Sequence, residues 1–213
     1  MFSKPFQYAF FRITHELERN FLDKPIILAS GSPRRQELLR QIGITFRTMP
    51  SDVDEAILPG ESPEKYAVRV ALDKASSVAA RTDSGIVIGA DTIVVLNDEV
   101  LGKPADARDA VRMLSMLSGH MHRVITGLAV VDASTARVKT ASAVTRVWFR
   151  DMAPEAIKAY VATGEPLDKA GAYGIQERGA LFVERIDGCY FNVVGLPLSL
   201  LADLLREAGI TII

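Results

Sequence analysis

Asp91 closes a run of apolar residues, Ile86-Val87-Ile88-Gly89-Ala90, that reads as a buried strand. A carboxylate in such a place must bind a metal, pair with a cation or cap a backbone group, because burying a bare charge is costly. Gly89 and Ala90 leave room beside it for a ligand. A second acidic group, Asp52-Val53-Asp54-Glu55, lies upstream. If that segment is extended, Asp52 and Asp54 share one face and Glu55 takes the other. Two carboxylates from separate segments suit Mg²⁺, which takes few protein oxygens and keeps water and phosphate oxygens. Two lysines are candidates for the opposite charge. Lys103 sits in Gly102-Lys103-Pro104, just past a hairpin. Lys74 falls among Val70, Ala71 and Val78 on the apolar side of a helix, where it either snorkels outward or meets an anion.

An anion site is also written into Ala29-Ser30-Gly31-Ser32-Pro33-Arg34-Arg35, which follows the apolar Pro25-Ile26-Ile27-Leu28. This order predicts a strand, a tight turn and a helix. Ser32 is the expected N-cap, and Pro33 fits the first helical position. Free N–H groups, a positive helix end and two guanidiniums would converge there, which suits a polyphosphate. No Gly-Lys-Ser/Thr follows, so this is not a Walker A loop, and the dinucleotide pattern G-x-G-x-x-G is absent. A third polar segment runs from Gly164 to Gln176. Its glycines and alanines surround Asp168, Lys169, Tyr173 and Gln176, as in a loop that wraps a ligand. Gln176 can both donate and accept hydrogen bonds, as reading a base edge requires.

The elements that must position these groups alternate. Strands are expected over 26–30, 44–49, 86–96, 122–131 and 138–149, with shorter ones at 181–186 and 190–194. Helices are expected over 33–42, from Ser62-Pro63 to about 81, from Asp106 to near Gly119, over 154–162, and from Pro197 to Gly209. Early βα units followed by hairpins point to an α/β fold with a mixed sheet. Residues 25–213 read as a single domain. Residues 1–24 read as an extension with Phe2, Phe6, Phe10 and Phe11 partly at helical spacing; a short amphipathic helix is expected, a disordered arm being the alternative.

The chain has 213 residues, 48% of them hydrophobic, and a formal net charge of −1. That balance fits a globular enzyme and argues against a nucleic-acid binder, which carries a basic excess. The lone Cys189 excludes an internal disulfide and a thiol zinc cluster. The three histidines lack H-E-x-x-H spacing. No apolar run approaches the roughly 18 residues of a membrane span, and acidic Glu16, Glu18 and Asp23 speak against a signal peptide. A cytoplasmic protein without membrane association is expected.

From about residue 25 to 208 the chain resembles the Maf family of nucleoside triphosphate pyrophosphatases. The resemblance rests on Ala29 through Arg35, Gly89-Ala90-Asp91-Thr92 and Leu101-Gly102-Lys103-Pro104. Leu117-Ser118-Gly119-His120, Thr126-Gly127, Asp168 through Gln176 and Val194-Gly195-Leu196-Pro197 support it. It implies a bilobed, ITPase-like fold with an elongated mixed sheet, an inter-lobe cleft and a homodimer. It also implies cleavage of the α–β phosphoanhydride with a divalent metal, Mg²⁺ or Mn²⁺. Arg34, Thr92 and Gln176 look like the branch acting on dTTP and UTP; 7-methyl-GTP, CTP or a damaged purine triphosphate are the alternative substrates. A nucleotide sensor in cell-division control is the alternative without turnover. Under this resemblance Glu55 and Asp91 hold the metal, and Asp91 activates water. Ser32, Arg35, Lys74 and Lys103 neutralise the triphosphate. Arg34, Thr92 and Gln176 read base or sugar, with Asp168 and Lys169 also in the binding loop. Glu177 departs from the pattern, since the family usually has Gly there.

Overall fold

The computed structural model describes residues 24–212. The extension expected over residues 1–24 lies, but for Lys24, outside the described residues. A seven-stranded mixed sheet organises the rest. Its strands are β1 (Ile26–Leu28), β2 (Phe46–Thr48), β3 (Ile86–Leu96), β4 (Glu99–Leu101), β5 (Met121–Asp132), β6 (Arg137–Phe149) and β7 (Val183–Asp187). They lie in the order β2-β1-β3-β5-β6-β7, with β4 added beside β3. β1 runs parallel to both β2 and β3, and every other pairing is antiparallel. The helices are α1 (Pro33–Gln41), α2 (Pro63–Ala79), α3 (Ala107–Leu117), α4 (Pro154–Val161), α5 (Tyr190–Val194) and α6 (Leu198–Glu207). Among the described residues, no helix is long and apolar enough to cross a membrane.

β3 is buried along nearly its whole length, and its unbroken apolar sequence is what two covered faces demand. Side chains alternate across it. Val87, Asp91, Ile93 and Val95 share the face covered by α2, where Ala67, Val70, Ala71, Ala75 and Val78 pack. Gly89 and Gly127 sit on that face as well. A Cβ on Gly89 would collide with the Ala71 carbonyl, and one on Gly127 with the Ala67 carbonyl. These two glycines therefore let α2 lie close to the sheet.

The opposite face carries two cores. Ile86, Ile88 and Ala90 pack beneath α1 and α6 with Leu38, Leu39, Leu201 and Leu205. Val94 and Leu96 pack with Leu114 and Leu117 of α3 and Ile157 and Tyr160 of α4. Thr92 stands between the two clusters, which is the two-lobed arrangement expected.

One edge of β3 is split in the same place. β1 pairs with Ile86, Val87 and Ile88, while β4 pairs with Val94, Val95 and Leu96. Between them, residues 89–93 have no strand partner on that edge among the described residues. The chain leaves β1 there, holding on by one further bond from Ala29 N–H to the Ile88 carbonyl (2.8 Å). The gap opens a cleft beside Asp91 and Thr92.

Two expected strands require correction. Residues 190–194 form α5, not a strand, although Val193 and Val194 favour strands by propensity. Tertiary bonds override that preference. The Asn192 side chain donates to the Val124 carbonyl and to Thr145 Oγ1, both at 2.9 Å, and so pins a helical turn against β5 and β6. Gly195, at φ +121°, then ends the turn. The strand expected at 181–186 begins only at Val183, because Arg178–Phe182 forms a 3-10 turn. The Gly164–Gln176 loop likewise contains 3-10 turns at Glu165–Asp168 and Ala170–Ala172.

Inside the α3–α4 core lies a histidine. His122 of β5 is 1% exposed, and its Nε2 is 2.8 Å from the Tyr173 hydroxyl. Its ring meets Phe149 edge-on, at 4.8 Å between centroids. Burial pushes its pKa down to about 3. The unfolded chain protonates it near its ordinary value of about 6.5. Between those values the unfolded state binds the extra proton, so this residue's contribution to stability falls as pH is lowered from about 6.5 toward 3, by at most about 1.4 kcal/mol per pH unit. We expect His122→Gln to flatten the loss of stability between pH 6.5 and 4, read from urea unfolding at several pH values. Parallel pH profiles for the two proteins would refute this.

Candidate active site

A cleft of about 560 Å³ lies at the split edge of β3, lined by both lobes. Every residue to which the resemblance gives a role borders it: Ser32, Arg34, Arg35, Glu55, Lys74, Asp91, Thr92, Lys103, Asp168, Lys169 and Gln176; Asp52 and Asp54 of the acidic group do not line it.

Asp91 projects from β3 toward α2, and Lys74 meets it there. Lys74 Nζ donates to Asp91 Oδ1 at 2.7 Å and pairs with Glu55 Oε1, also at 2.7 Å. Of the two readings of Lys74, the structure thus gives the anion. Asp91 and Lys74 are both buried, whereas the Glu55 side chain is 52% exposed. Burial raises the Asp91 carboxyl above the usual carboxylate range, against the opposing charges of Lys74 and Arg35. The result is a carboxylate more basic than an ordinary aspartate, with a cation beside it.

Glu55 is carried by an irregular segment that α2 holds in place. Tyr66 Oη donates to the Glu55 carbonyl at 2.8 Å. Arg69 donates to the Ala56 carbonyl at 2.9 Å and to both carboxylate oxygens of Glu61, at 2.7 and 2.8 Å. Burial, with Asp91 and Glu55 nearby, pushes the Tyr66 phenol up to about 12, so it remains a donor at neutral pH. Tyr66 was not among the expected site residues. Its signal was its place one helical face along from Val70 and Lys74.

On the other side of β3, α1 delivers Arg35. Its guanidinium donates from Nε to the Gly195 carbonyl (2.9 Å), from Nη1 to Ser30 Oγ (3.1 Å) and from Nη2 to Thr92 Oγ1 (3.0 Å). All three acceptors are neutral. Burial lowers its pKa, and Asp91 is the chief opposing charge. A guanidinium has five N–H donors, so some stay available to an anion in the cleft. Ser32 corrects an expectation. It stands at the N-cap of α1 and Pro33 follows, but its side chain makes no capping bond; its own N–H donates to Ser30 Oγ at 3.2 Å. The Ser32 hydroxyl thus borders the cleft without a capping role.

The Gly164–Gln176 loop closes the far side. Lys169 is buried, and its Nζ donates to the Glu165 carbonyl (2.6 Å) and Asp168 Oδ1 (2.8 Å). Glu177 lies 3.8 Å from the same ammonium. Lys169 and Asp168 therefore fix the loop to itself, and Glu177 adds a second acid to that lysine. Although burial pushes Asp168 up, Lys169 and Arg34 hold its carboxyl below the usual range. Arg34 reaches Asp168 at 3.4 Å, a long and exposed pair that contributes little to stability. Gln176 is exposed on the cleft wall, and Lys103 makes no ion pair among the described residues. Gly171 N–H bonds the Gly102 carbonyl at 3.0 Å, which ties this loop to the turn bearing Lys103.

Among the described residues, no group of three or more His, Cys, Asp or Glu gathers around a point. The donor set fits a metal that needs only one or two carboxylates. Glu55 and Asp91 converge closely enough for a single ammonium to touch both. Mg²⁺ takes the rest of its shell from water and phosphate.

The sequence profile described as Maf-like protein matches residues 25–208. The chain is 52% identical over 186 residues to the dTTP/UTP pyrophosphatase of Syntrophomonas wolfei, covering 87% of this chain and 98% of that protein. It is 54% identical over 184 residues to the dTTP/UTP pyrophosphatase of Geobacter metallireducens, covering 86% and 96%. The structure of a HAM1 protein from Coxiella burnetii shares the fold, with a TM-score of 0.50 and 15% identity over 86% of this chain and 99% of that one.

Removing one member of a buried ion pair leaves the other uncompensated. Lys74→Met is therefore expected to destabilise the protein by about 3 kcal/mol at pH 7. The penalty should shrink at pH 5, where Asp91 can take up a proton. Denaturant unfolding at the two pH values checks this; an equal penalty at both would contradict it.

Proposed function

The chain belongs to the family of Maf-like proteins, and we propose that it hydrolyses dTTP and UTP to the nucleoside monophosphate and pyrophosphate. The observation that carries this reading is the meeting of a basic, cation-flanked carboxylate, Asp91, with the half-buried guanidinium of Arg35 on the two faces of one strand. Phosphoryl transfer asks mainly for positioning and charge neutralisation, and these groups supply both.

In this reading Arg35, Ser32 and Lys103 receive the oxygens of the triphosphate, with the N-terminal end of α1 adding N–H donors. Asp91 accepts a proton from the attacking water. The water oxygen bonds to the α-phosphorus while the bond from that phosphorus to the α–β bridging oxygen breaks. Pyrophosphate leaves with the electron pair. Lys74 keeps Asp91 ionised and orients it. Glu55 and Asp91 would hold a divalent cation, Mg²⁺ or Mn²⁺, which when bound supplies charge neutralisation and acidifies water. Arg34, Thr92 and Gln176 would read base or sugar, as their match to the dTTP/UTP branch suggests. A homodimer and a cytoplasmic location belong to the same reading and rest on family membership.

Pyrophosphate release should be measured with Mg²⁺ or Mn²⁺ across dTTP, UTP, CTP, 7-methyl-GTP, dITP, 5-methyl-UTP and pseudo-UTP. We expect dTTP and UTP to lead. Asp91→Asn should lower kcat by at least about a hundredfold, as loss of a general base does, while still unfolding cooperatively, at a lower temperature because Lys74 keeps only Glu55. Wild-type turnover by that variant would remove Asp91 from its role. Preference for another base would keep the chemistry and overturn the specificity.

A further inference from the structure

Arg35 is aimed by Thr92, and Thr92 is in turn held by a residue that does not border the cleft. Thr126 of β5 is fully buried directly opposite Thr92 in the β3–β5 register. Its Oγ1 lies 2.9 Å from Thr92 Oγ1 and 3.3 Å from the Asn192 carbonyl. A carbonyl can only accept, so the bond to Asn192 uses the Thr126 proton. Thr126 Oγ1 is then an acceptor, and the Thr92 proton points to it. The other acceptor near Thr92 is the Gly195 carbonyl, at 3.4 Å against 2.9 Å to Thr126, and it also receives Arg35 Nε. Thr92 is left with its lone pairs facing Arg35 Nη2.

The chain of bonds has a firm end. Asn192 is fully buried, and its amide donates to the Val124 carbonyl and to Thr145 Oγ1, which fixes α5 to the sheet. The same short helix leads into Gly195, whose carbonyl receives Arg35 Nε. Two of the three acceptors around the guanidinium are thus set from behind, by Thr126 and by Asn192. The Asn192 Oδ1 atom is buried without a partner among the described residues.

We propose that Thr126 is a positioning residue for polyphosphate binding, with Asn192 as its anchor. Its hydroxyl orders the sequence of donors from Arg35 through Thr92 to the Asn192 carbonyl, and this sets the rotation of the guanidinium in the cleft. The inference rests on the reading of Arg35 as a phosphate ligand.

The test compares Thr126→Val, which keeps shape and loses the hydroxyl, with Thr126→Ser, which keeps the hydroxyl. In the full chain, Thr126→Val should raise KM for dTTP about tenfold, the effect of one lost hydrogen bond to a charged group, with kcat changed less than KM. Thr126→Ser should restore KM to near the wild-type value. Affinity for inorganic tripolyphosphate, measured by calorimetry, should follow the same order without needing turnover. If wild-type protein neither hydrolyses dTTP nor binds tripolyphosphate, the functional reading fails. If wild-type protein does both and Thr126→Val matches it, the positioning role fails while the function stands. Should Thr126→Val not fold cooperatively, Thr126→Cys, with its weak donor, takes its place. KM values for Cys and Ser that do not differ would then overturn the proposal.

Discussion

A carboxylate embedded in an apolar strand must be neutralised where it stands, and Lys74 does this for Asp91. The two groups are held by different elements, so the constraint spreads. α2 must lie close enough to β3 for a lysine to reach, and Gly89 and Gly127 permit that approach. Glu55 must come to the same ammonium, and Tyr66 and Arg69, upstream of Lys74 on the same helix, hold its segment there. Burial meanwhile keeps the Asp91 pKa raised. Burial thus makes Asp91 a stronger base than a surface aspartate, and the pairing with Lys74 makes that burial tolerable while opposing the rise.

The sheet explains why opposite charges meet without cancelling. Asp91 and Thr92 are neighbours in sequence and so face opposite sides of β3. One side gathers the acids around Lys74, and the other gathers the guanidinium of Arg35 among neutral acceptors. The break in the edge, where β1 stops short of β4, exposes both sides to one cleft. A phosphate chain bound there can meet donors and a base together.

Much of this was legible in the sequence because it was local. The apolar run ending in Asp91, the Pro at the start of α1 and the glycines and alanines of the Gly164–Gln176 loop each signal their own conformation. The charged residues of the cleft are therefore legible without its geometry, whereas Tyr66, which also lines it, is not. What was not legible was long-range. Val193 and Val194 argue for a strand, and only the bonds from Asn192 to β5 and β6 show why they are helical. The Ser32 side chain suits a cap by type yet makes no capping bond, while the preceding Ser30 bonds its N–H. Lys74 could have pointed outward; Asp91, on a strand that pairs far from it in sequence, decides otherwise. Thr126 carries no charge and no unusual spacing, so its place behind Thr92 emerges only from strand register.

The central claim is that Asp91 serves water at the α-phosphorus while Arg35 and its neighbours hold the departing pyrophosphate. Hydrolysis of dTTP in ¹⁸O-labelled water, followed by mass spectrometry of both products, tests it most directly. The account predicts the label in the nucleoside monophosphate and none in pyrophosphate. Label in pyrophosphate would place the attack on the β-phosphorus and contradict the assignment of the cleft.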